Sequence, residues 1–96
     1  MEFANRCAMI TGGGSGMGLL SGEELAKQGA SVALLDVNED ALARAEEKIK
    51  ALGGKVLALK VDIRKYDQVE AAANKIVETF GSIDIRLNCA GGMSGR

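Results

Sequence analysis

The sequence has no histidine, and it has only two cysteines, Cys7 and Cys89, among its 96 residues. Without histidine and without a cysteine cluster the usual ligands of a zinc site are missing, so we expect no bound metal. Two cysteines make a poor disulfide framework for a chain of this length, and both fall in segments that we predict to be buried strands. We therefore interpret both as reduced core residues.

Long apolar runs and an excess of one charge are also missing. No apolar stretch approaches the roughly 18 residues of a membrane-spanning helix, and no basic segment followed by an apolar one opens the chain. The formal net charge is −1 at pH 7. Nucleic acid and anionic membranes both require a concentrated basic surface, so we expect neither as a partner. These absences predict a cytoplasmic protein.

The most informative segment is a glycine-rich run, Thr11-Gly12-Gly13-Gly14-Ser15-Gly16-Met17-Gly18, that follows the apolar residues 7–10 and precedes a helix-like pattern. Glycine permits backbone angles closed to other residues, and its missing side chain lets amide N–H groups approach a phosphate at the positive end of the following helix. A turn in this setting binds the pyrophosphate of a dinucleotide, with Gly12, Gly16 and Gly18 as the expected contact positions. No Gly-Lys-Ser/Thr follows, which excludes a phosphate-hydrolysing P-loop.

Strand and helix patterns alternate along the whole chain. We predict strands at 6–11, 31–36, 55–61 and 83–90, and helices at 16–28, from the N-cap Asn38 to Leu52, and at 66–80, each helix followed by a glycine. This alternation requires parallel strands joined by right-handed crossovers. The predicted fold is therefore α/β, a Rossmann-like doubly wound parallel sheet, β-α-β-α-β-α-β, with strand order 3-2-1-4 in one domain of residues 1–96.

Asp36 ends the second predicted strand, eighteen residues after Gly18. In dinucleotide-binding proteins an acid about 20 residues beyond the glycines binds the ribose hydroxyls. A 2′-phosphate there would meet a like charge, which at about 4 Å and an effective dielectric constant near 20 costs about 4 kcal/mol. No arginine follows Asp36, and the residue before Gly16 is Ser15 and not a basic residue. The chain therefore offers no positive charge to neutralise that phosphate. The sequence therefore predicts NAD, with NADP as the weaker ligand; the alternative is a solvated acid at a strand end.

Together these residues resemble the N-terminal half of the short-chain dehydrogenase/reductase family. Thr11-Gly12-xxx-Gly16-x-Gly18 is similar to the family's cofactor turn, Asp36 to its ribose-binding acid, Asp62-Ile63 to its adenine-side pair, and Asn88-Cys89-Ala90-Gly91 to its Asn-Asn-Ala-Gly segment. The resemblance covers essentially the whole chain. It implies cofactor contacts from Gly12, Ser15, Gly16, Met17, Gly18, Asp36, Asp62, Ile63, Asn88, Ala90 and Gly91.

Several of these residues also have structural interpretations. Asp62 suits a residue that caps or initiates the turn after its strand. Asn88 suits hydrogen bonding to the neighbouring strands, the role that we favour for it, and Thr11 is expected to brace the turn more than it touches the cofactor. Arg86 would be a costly buried charge if the fourth strand were covered on both faces.

The family's hydride transfer uses a serine and a Tyr-x-x-x-Lys pair that lie downstream of this segment. The only tyrosine, Tyr66, is followed four residues later by Glu70, so we assign no catalytic residue. The resemblance implies the NAD(H)-binding portion of an oxidoreductase for an alcohol or carbonyl substrate, inactive as the 96-residue chain alone.

Two other functions stay open. A non-catalytic nucleotide-binding or assembly module is favoured by an open edge at the fourth strand and by apolar area on a sheet face covered mainly by one helix, which together predict a homo-oligomer. A methyltransferase also uses a glycine-rich first turn, but such enzymes usually place an acid just before the glycines, where this chain has Thr11.

Overall fold

The structure, a computed structural model, describes residues 3–14 and 16–89. Strands and helices alternate in the predicted order. They are β1 (Cys7–Thr11), α1 (Gly16–Lys27), β2 (Ser31–Asp36), α2 (Glu39–Ala51), β3 (Val56–Lys60), α3 (Tyr66–Phe80) and β4 (Ile85–Asn88). Predicted and observed ends agree within two residues, and β4 is shorter than the predicted 83–90. The predicted site residues Ser15, Ala90 and Gly91 lie outside the described residues.

The four strands form one parallel sheet in the order β3-β2-β1-β4. The central strand β1 pairs with β2, which sets Ile10 beside Leu34, and with β4, which sets Thr11 beside Asn88. The predicted α/β fold and its 3-2-1-4 strand order are therefore confirmed. Because all strands run the same way, their carboxyl ends meet at one edge of the sheet and their amino ends at the other, which we call the carboxyl edge and the amino edge.

Side chains alternate along the central strands and build a core on each face of the sheet. Ile10 and Leu34 face α1 and α2, where they meet buried residues such as Ile49. Met9 and Leu35 face the other side, and Ile76 of α3 belongs to that cluster. Among the described residues, α3 is the only helix on this second face, as expected from the sequence.

Helix α1 contains a glycine that the helix pattern alone would disfavour. Gly22 is buried, and a Cβ added there would lie 3.3 Å from Ile49 Cδ1 and 3.4 Å from Leu34 Cδ2. The absent side chain lets α1 approach both the sheet and α2. This close packing offsets the roughly 1 kcal/mol that glycine costs relative to alanine inside a helix.

The two cysteines differ in their surroundings. Cys7 is 1% exposed in β1, as predicted. Burial and the nearby Asp84 carboxylate raise the pKa of the Cys7 thiol to about 11, so the thiol stays protonated and unreactive at neutral pH. The prediction for Cys89 was wrong in part, because β4 ends at Asn88 and Cys89 is half-buried beyond it.

The fourth strand has one wet face and one apolar face. Ile85 and Leu87 are half-buried, while Arg86 and Asn88 are exposed. Arg86 is therefore not a buried charge, as it would be if β4 were covered on both faces. The reason is that β4 is an edge strand in the part of the sheet that the structure describes.

Candidate functional site

The glycine turn after β1 is bonded to the end of β2. Gly12 has a positive φ of 72°, which favours glycine, and the amides of Gly12 and Gly13 donate to the Leu35 carbonyl at 2.7 and 3.1 Å. Gly18 lies in the first turn of α1, and a Cβ added there would overlap the Gly12 carbonyl. The turn and the first helix are therefore in direct backbone contact.

The start of α1 supplies the amides that remain for a ligand. The first N–H groups of a helix have no acceptor within the helix, and α1 begins at Gly16. Its first turn, every residue of which is described, contains no acidic side chain. The positive end of the helix dipole and the first N–H groups of α1 therefore lie at the carboxyl edge, and a helix start of this kind can bind an anion.

Asp36 lies half-buried against the glycine turn. Its Oδ2 accepts a hydrogen bond from the Gly14 amide at 3.0 Å, and its Oδ1 accepts one from the Asn38 amide at 3.1 Å. An ionised carboxylate offers about four acceptor positions, so each oxygen keeps capacity for a further donor. The structure therefore brings the predicted ribose-binding acid next to the predicted phosphate-binding turn.

Asp62 is engaged within its own turn. Its Oδ1 accepts hydrogen bonds from the Arg64 backbone amide and Nε, both at 3.0 Å, and its Oδ2 pairs with Arg64 Nη2 at 2.9 Å. These bonds to Arg64 lower the pKa of the Asp62 carboxyl to about 2. The Asp62 amide donates to Gln68 Oε1 at 2.9 Å. This geometry favours the turn-capping interpretation of the carboxylate.

Two further predicted residues, Ile63 and Asn88, line an open cleft of about 320 Å³ between α3 and β4. The Thr11 hydroxyl donates to Asn88 Oδ1 at 2.9 Å and thereby ties the ends of β1 and β4 together. The bracing role expected for Thr11 is therefore observed, whereas the Asn88 side chain bonds a side chain of the neighbouring strand and not its backbone. Within the part of the chain that the structure describes, the Asn88 carboxamide donates no hydrogen bond, so a ligand contact and the structural role are compatible.

A larger cavity, of about 660 Å³, lies at the amino edge and contains none of the predicted site residues. Arg6, Lys27 and Lys55 contribute to its lining, together with apolar residues such as Leu52 and Phe80. In open parallel sheets, ligands bind outside the carboxyl ends of the strands. We therefore place the candidate site at the carboxyl edge despite its smaller cleft.

Two other kinds of site were considered for residues 3–14 and 16–89, a metal site and a membrane-spanning helix, and neither is present there. No group of three His, Cys, Asp or Glu side chains there is arranged to bind a metal ion. None of the helices in that part of the chain has both the length and the apolar character to cross a membrane.

The comparison with family models decides the relationship. The model of the short chain dehydrogenase family matches residues 6–96. The chain belongs to this family. Among curated relatives, the cyclohexanol dehydrogenase of Acinetobacter sp. strain SE19 is 40% identical over 90 residues, which are 94% of this chain and 36% of that protein. The 3-hydroxyacyl-CoA dehydrogenase type-2 of Drosophila melanogaster is 41% identical over 91% of this chain and 33% of its own length.

Solved structures of the family match equally well. A short-chain type dehydrogenase/reductase from Mycobacterium ulcerans superposes with a TM-score of 0.90 at 34% identity, over 96% of this chain and 34% of that one. A Burkholderia phymatum member in complex with NAD gives 0.85 at 37% identity, over 90% and 31% of the two chains. An actinorhodin polyketide ketoreductase with NADPH gives 0.87 at 27% identity, over 95% and 34%. The chain thus spans about a third of the length of its relatives.

Two contacts in the site were not predicted from the sequence. Gly14 lies within the glycine run, yet we did not assign it, and its amide binds Asp36. Arg64 was not predicted to pair with Asp62. The signal for that pair was an acid followed two residues later by a donor at the end of a strand, a pattern typical of turns closed by an aspartate side chain.

Proposed function

We propose that this chain is the NAD(H)-binding portion of an oxidoreductase that acts on an alcohol or carbonyl substrate. The observation that carries the proposal is the contact between Gly14 and Asp36, which joins an anion-binding helix start to a carboxylate with free acceptor positions. A nucleotide in which a diphosphate is followed by a ribose would place an anion at the helix start and hydroxyl groups at the carboxylate. Bound NAD would supply the hydride acceptor, and this chain would supply the binding.

The proposed contacts divide among three parts of the nucleotide. The amides of Gly16, Met17 and Gly18 bind the diphosphate with the positive end of α1, and Gly12 packs beneath it. Asp36 binds the ribose hydroxyls. Ile63 contributes an apolar surface, 38% exposed, for the adenine side. Asp62, Asn88, and residues 15, 90 and 91 complete the set that the family resemblance implies.

NAD is proposed over NADP because Asp36 already accepts hydrogen bonds from two backbone amides through both of its oxygens. A 2′-phosphate would bring negative charge to the same carboxylate. Neighbours of known structure carry either nucleotide, so the preference is argued from this chain's own residues. The positive charge in register with Asp36 is that of Lys60 in the neighbouring strand β3. Lys60 is exposed at the end of this edge strand, so we do not assign it to a 2′-phosphate.

We also propose that the 96-residue chain alone catalyses no hydride transfer. Proton transfer needs an acid or base within hydrogen-bond reach of the substrate oxygen. The one tyrosine, Tyr66, is 78% exposed at the start of α3, and four residues later the chain has Glu70 instead of lysine. The expected result is no NADH absorbance when the purified chain is mixed with NAD and a panel of alcohols. Reproducible turnover by pure chain would contradict the proposal.

A non-catalytic assembly module is a second candidate, because within residues 3–14 and 16–89 α3 is the only helix on the second sheet face and β4 is an edge strand. Unpaired strand edges and exposed apolar area promote association. We therefore expect a dimer or larger species in sedimentation velocity experiments over a range of concentrations. A monomer at the highest concentration would contradict this candidate and leave the nucleotide-binding proposal intact.

A further inference from the structure

We propose that Gly14 is a positioning residue that holds the Asp36 carboxylate in place and thereby sets the preference for NAD over NADP. The inference rests on the nucleotide site proposed above and deepens it. Gly14 lies between the glycines that we assign to the diphosphate, but its own amide is bonded elsewhere. Its role is therefore directed at the sugar end of the site.

The carboxylate is held from two sides by backbone groups. Gly14 donates to Oδ2 at 3.0 Å from the turn after β1, and Asn38 donates to Oδ1 at 3.1 Å from the start of α2. Backbone amides cannot rotate away as side-chain donors can. Since the two donors belong to different elements, they fix both the position and the plane of the carboxylate before any ligand arrives, which lowers the ordering cost of binding.

The space that the carboxylate occupies exists because residue 14 has no side chain. A Cβ added to Gly14 would lie 2.8 Å from Asp36 Oδ2 and 3.0 Å from the Ala41 Cβ. Gly14 does not have a positive φ, unlike its neighbours Gly12 and Gly16. The backbone at Gly14 therefore tolerates alanine, and the constraint there is the room taken by Asp36.

An alanine at position 14 should displace the carboxylate from its two donors. Ribose hydroxyls would then meet an acceptor in the wrong place, while a 2′-phosphate would be repelled less strongly because the charge has moved away. Both effects reduce the ratio of NAD affinity to NADP affinity. A side chain that acted only on stability would weaken both nucleotides equally and leave the ratio unchanged.

The test compares nucleotide affinities of the 96-residue chain and its variants by isothermal titration calorimetry. We expect the unaltered chain to bind NAD at least about tenfold more tightly than NADP, and Gly14→Ala to reduce that ratio about fivefold or more. Gly54→Ala is the matched control. Its added Cβ would lie 3.0 Å from the Ala26 Cβ and from Ile49 Cγ2, so it crowds the amino edge without touching Asp36 and should keep the ratio of the unaltered chain.

The outcomes separate the two proposals. If the unaltered chain binds neither nucleotide, the proposed function is wrong and this inference falls with it. If that chain prefers NAD and Gly14→Ala keeps the same ratio, the function stands and the role of Gly14 is refuted. If Gly14→Ala does not fold, the double variant Gly14→Ala/Asp36→Ala decides, because removing the carboxylate removes the closest contact. Recovery of folding supports the inference, and failure to recover overturns it.

Discussion

The carboxyl edge and the amino edge of the sheet differ in what they offer a ligand, and the larger cavity is at the less suitable one. At the carboxyl edge, α1 begins just after the glycine turn whose Gly14 amide binds the Asp36 carboxylate. At the amino edge, a cavity of about 660 Å³ has Arg6, Lys27 and Lys55 in its lining and no acidic residue among the described residues there. Cavity size alone would select the amino edge.

Helix direction explains the difference. Each crossover helix follows a parallel strand, so α1, α2 and α3 all begin at the carboxyl edge and end at the amino edge. Helix starts carry a partial positive charge and helix ends a partial negative charge. Lysines and arginines at the amino edge therefore complement the helix ends, and Lys27 lies in the last turn of α1. Direction, more than volume, indicates where a dinucleotide binds.

The largest expected effect of a single substitution is at the contact between the glycine turn and α1. Gly18→Ala would drive a Cβ into the Gly12 carbonyl, and neither piece of backbone can move aside cheaply. We expect it to lower the free energy of unfolding by about 3 kcal/mol, measured by urea denaturation.

The matched control for Gly18→Ala lies at the amino edge. Gly53 has a φ of 83° and nothing within 4 Å of an added Cβ. Gly53→Ala should cost only the strain of a left-handed residue, about 1 kcal/mol. Equal costs for the two substitutions would contradict the close packing at the carboxyl edge.

The next largest effect concerns nucleotide choice. Asp36→Ala removes the acceptor for the ribose hydroxyls and should weaken NAD binding about tenfold, since a hydrogen bond to a charged group contributes about 1.5 kcal/mol. NADP binding should weaken less or improve. Lys55→Ala, in the lining of the amino-edge cavity, should leave both affinities unchanged in the same calorimetric titration. A larger loss of NAD affinity from Lys55→Ala than from Asp36→Ala would indicate that NAD binds at the amino edge and not at the carboxyl edge.

The smallest effect concerns the turn of Asp62. Its pKa is lowered from 3.8 to about 2 by the bonds to Arg64, so the charged form stabilises the folded chain above about pH 4 and that contribution is lost as the pH falls toward 2. Asp62→Asn should therefore make thermal stability less dependent on pH in that window. The effect should be small because Arg64, one partner of the pair, is exposed to solvent.

Glu46→Gln provides the control for Asp62→Asn. It removes an exposed pair with Lys50, 3.4 Å apart on α2, and is expected to change the melting temperature very little. If Asp62→Asn left the loss of thermal stability between about pH 4 and pH 2 unchanged, the turn-capping role of Asp62 would be contradicted.

Much of the fold could be predicted because local signals agreed with one another. The strand order followed from alternation alone, and the cap at Asn38 was confirmed, with its side chain accepting from the Ala41 amide at 3.0 Å. Element ends were less predictable. The predicted fourth strand included Cys89, which lies beyond β4, because an apolar residue at the end of a pattern does not reveal where strand pairing stops.

The site was predictable at the level of residue type and less so at the level of contacts. Spacing from Gly18 identified Asp36 as a candidate, but nothing in the sequence indicated that the Gly14 amide binds it. That contact joins residues 22 positions apart and depends on the register between β1 and β2. Asp62 illustrates the opposite case, since a side chain that resembles a ligand contact is bonded to Arg64 in its own turn.

Backbone amide signals of the ¹⁵N-labelled chain, followed during titration with NAD, would show whether a dinucleotide binds at the carboxyl edge. We expect saturable shifts at Gly16, Gly18 and Asp36, with the signals of Gly53 and Lys55 unchanged. Shifts confined to the amino edge, or no shifts at any NAD concentration, would contradict it.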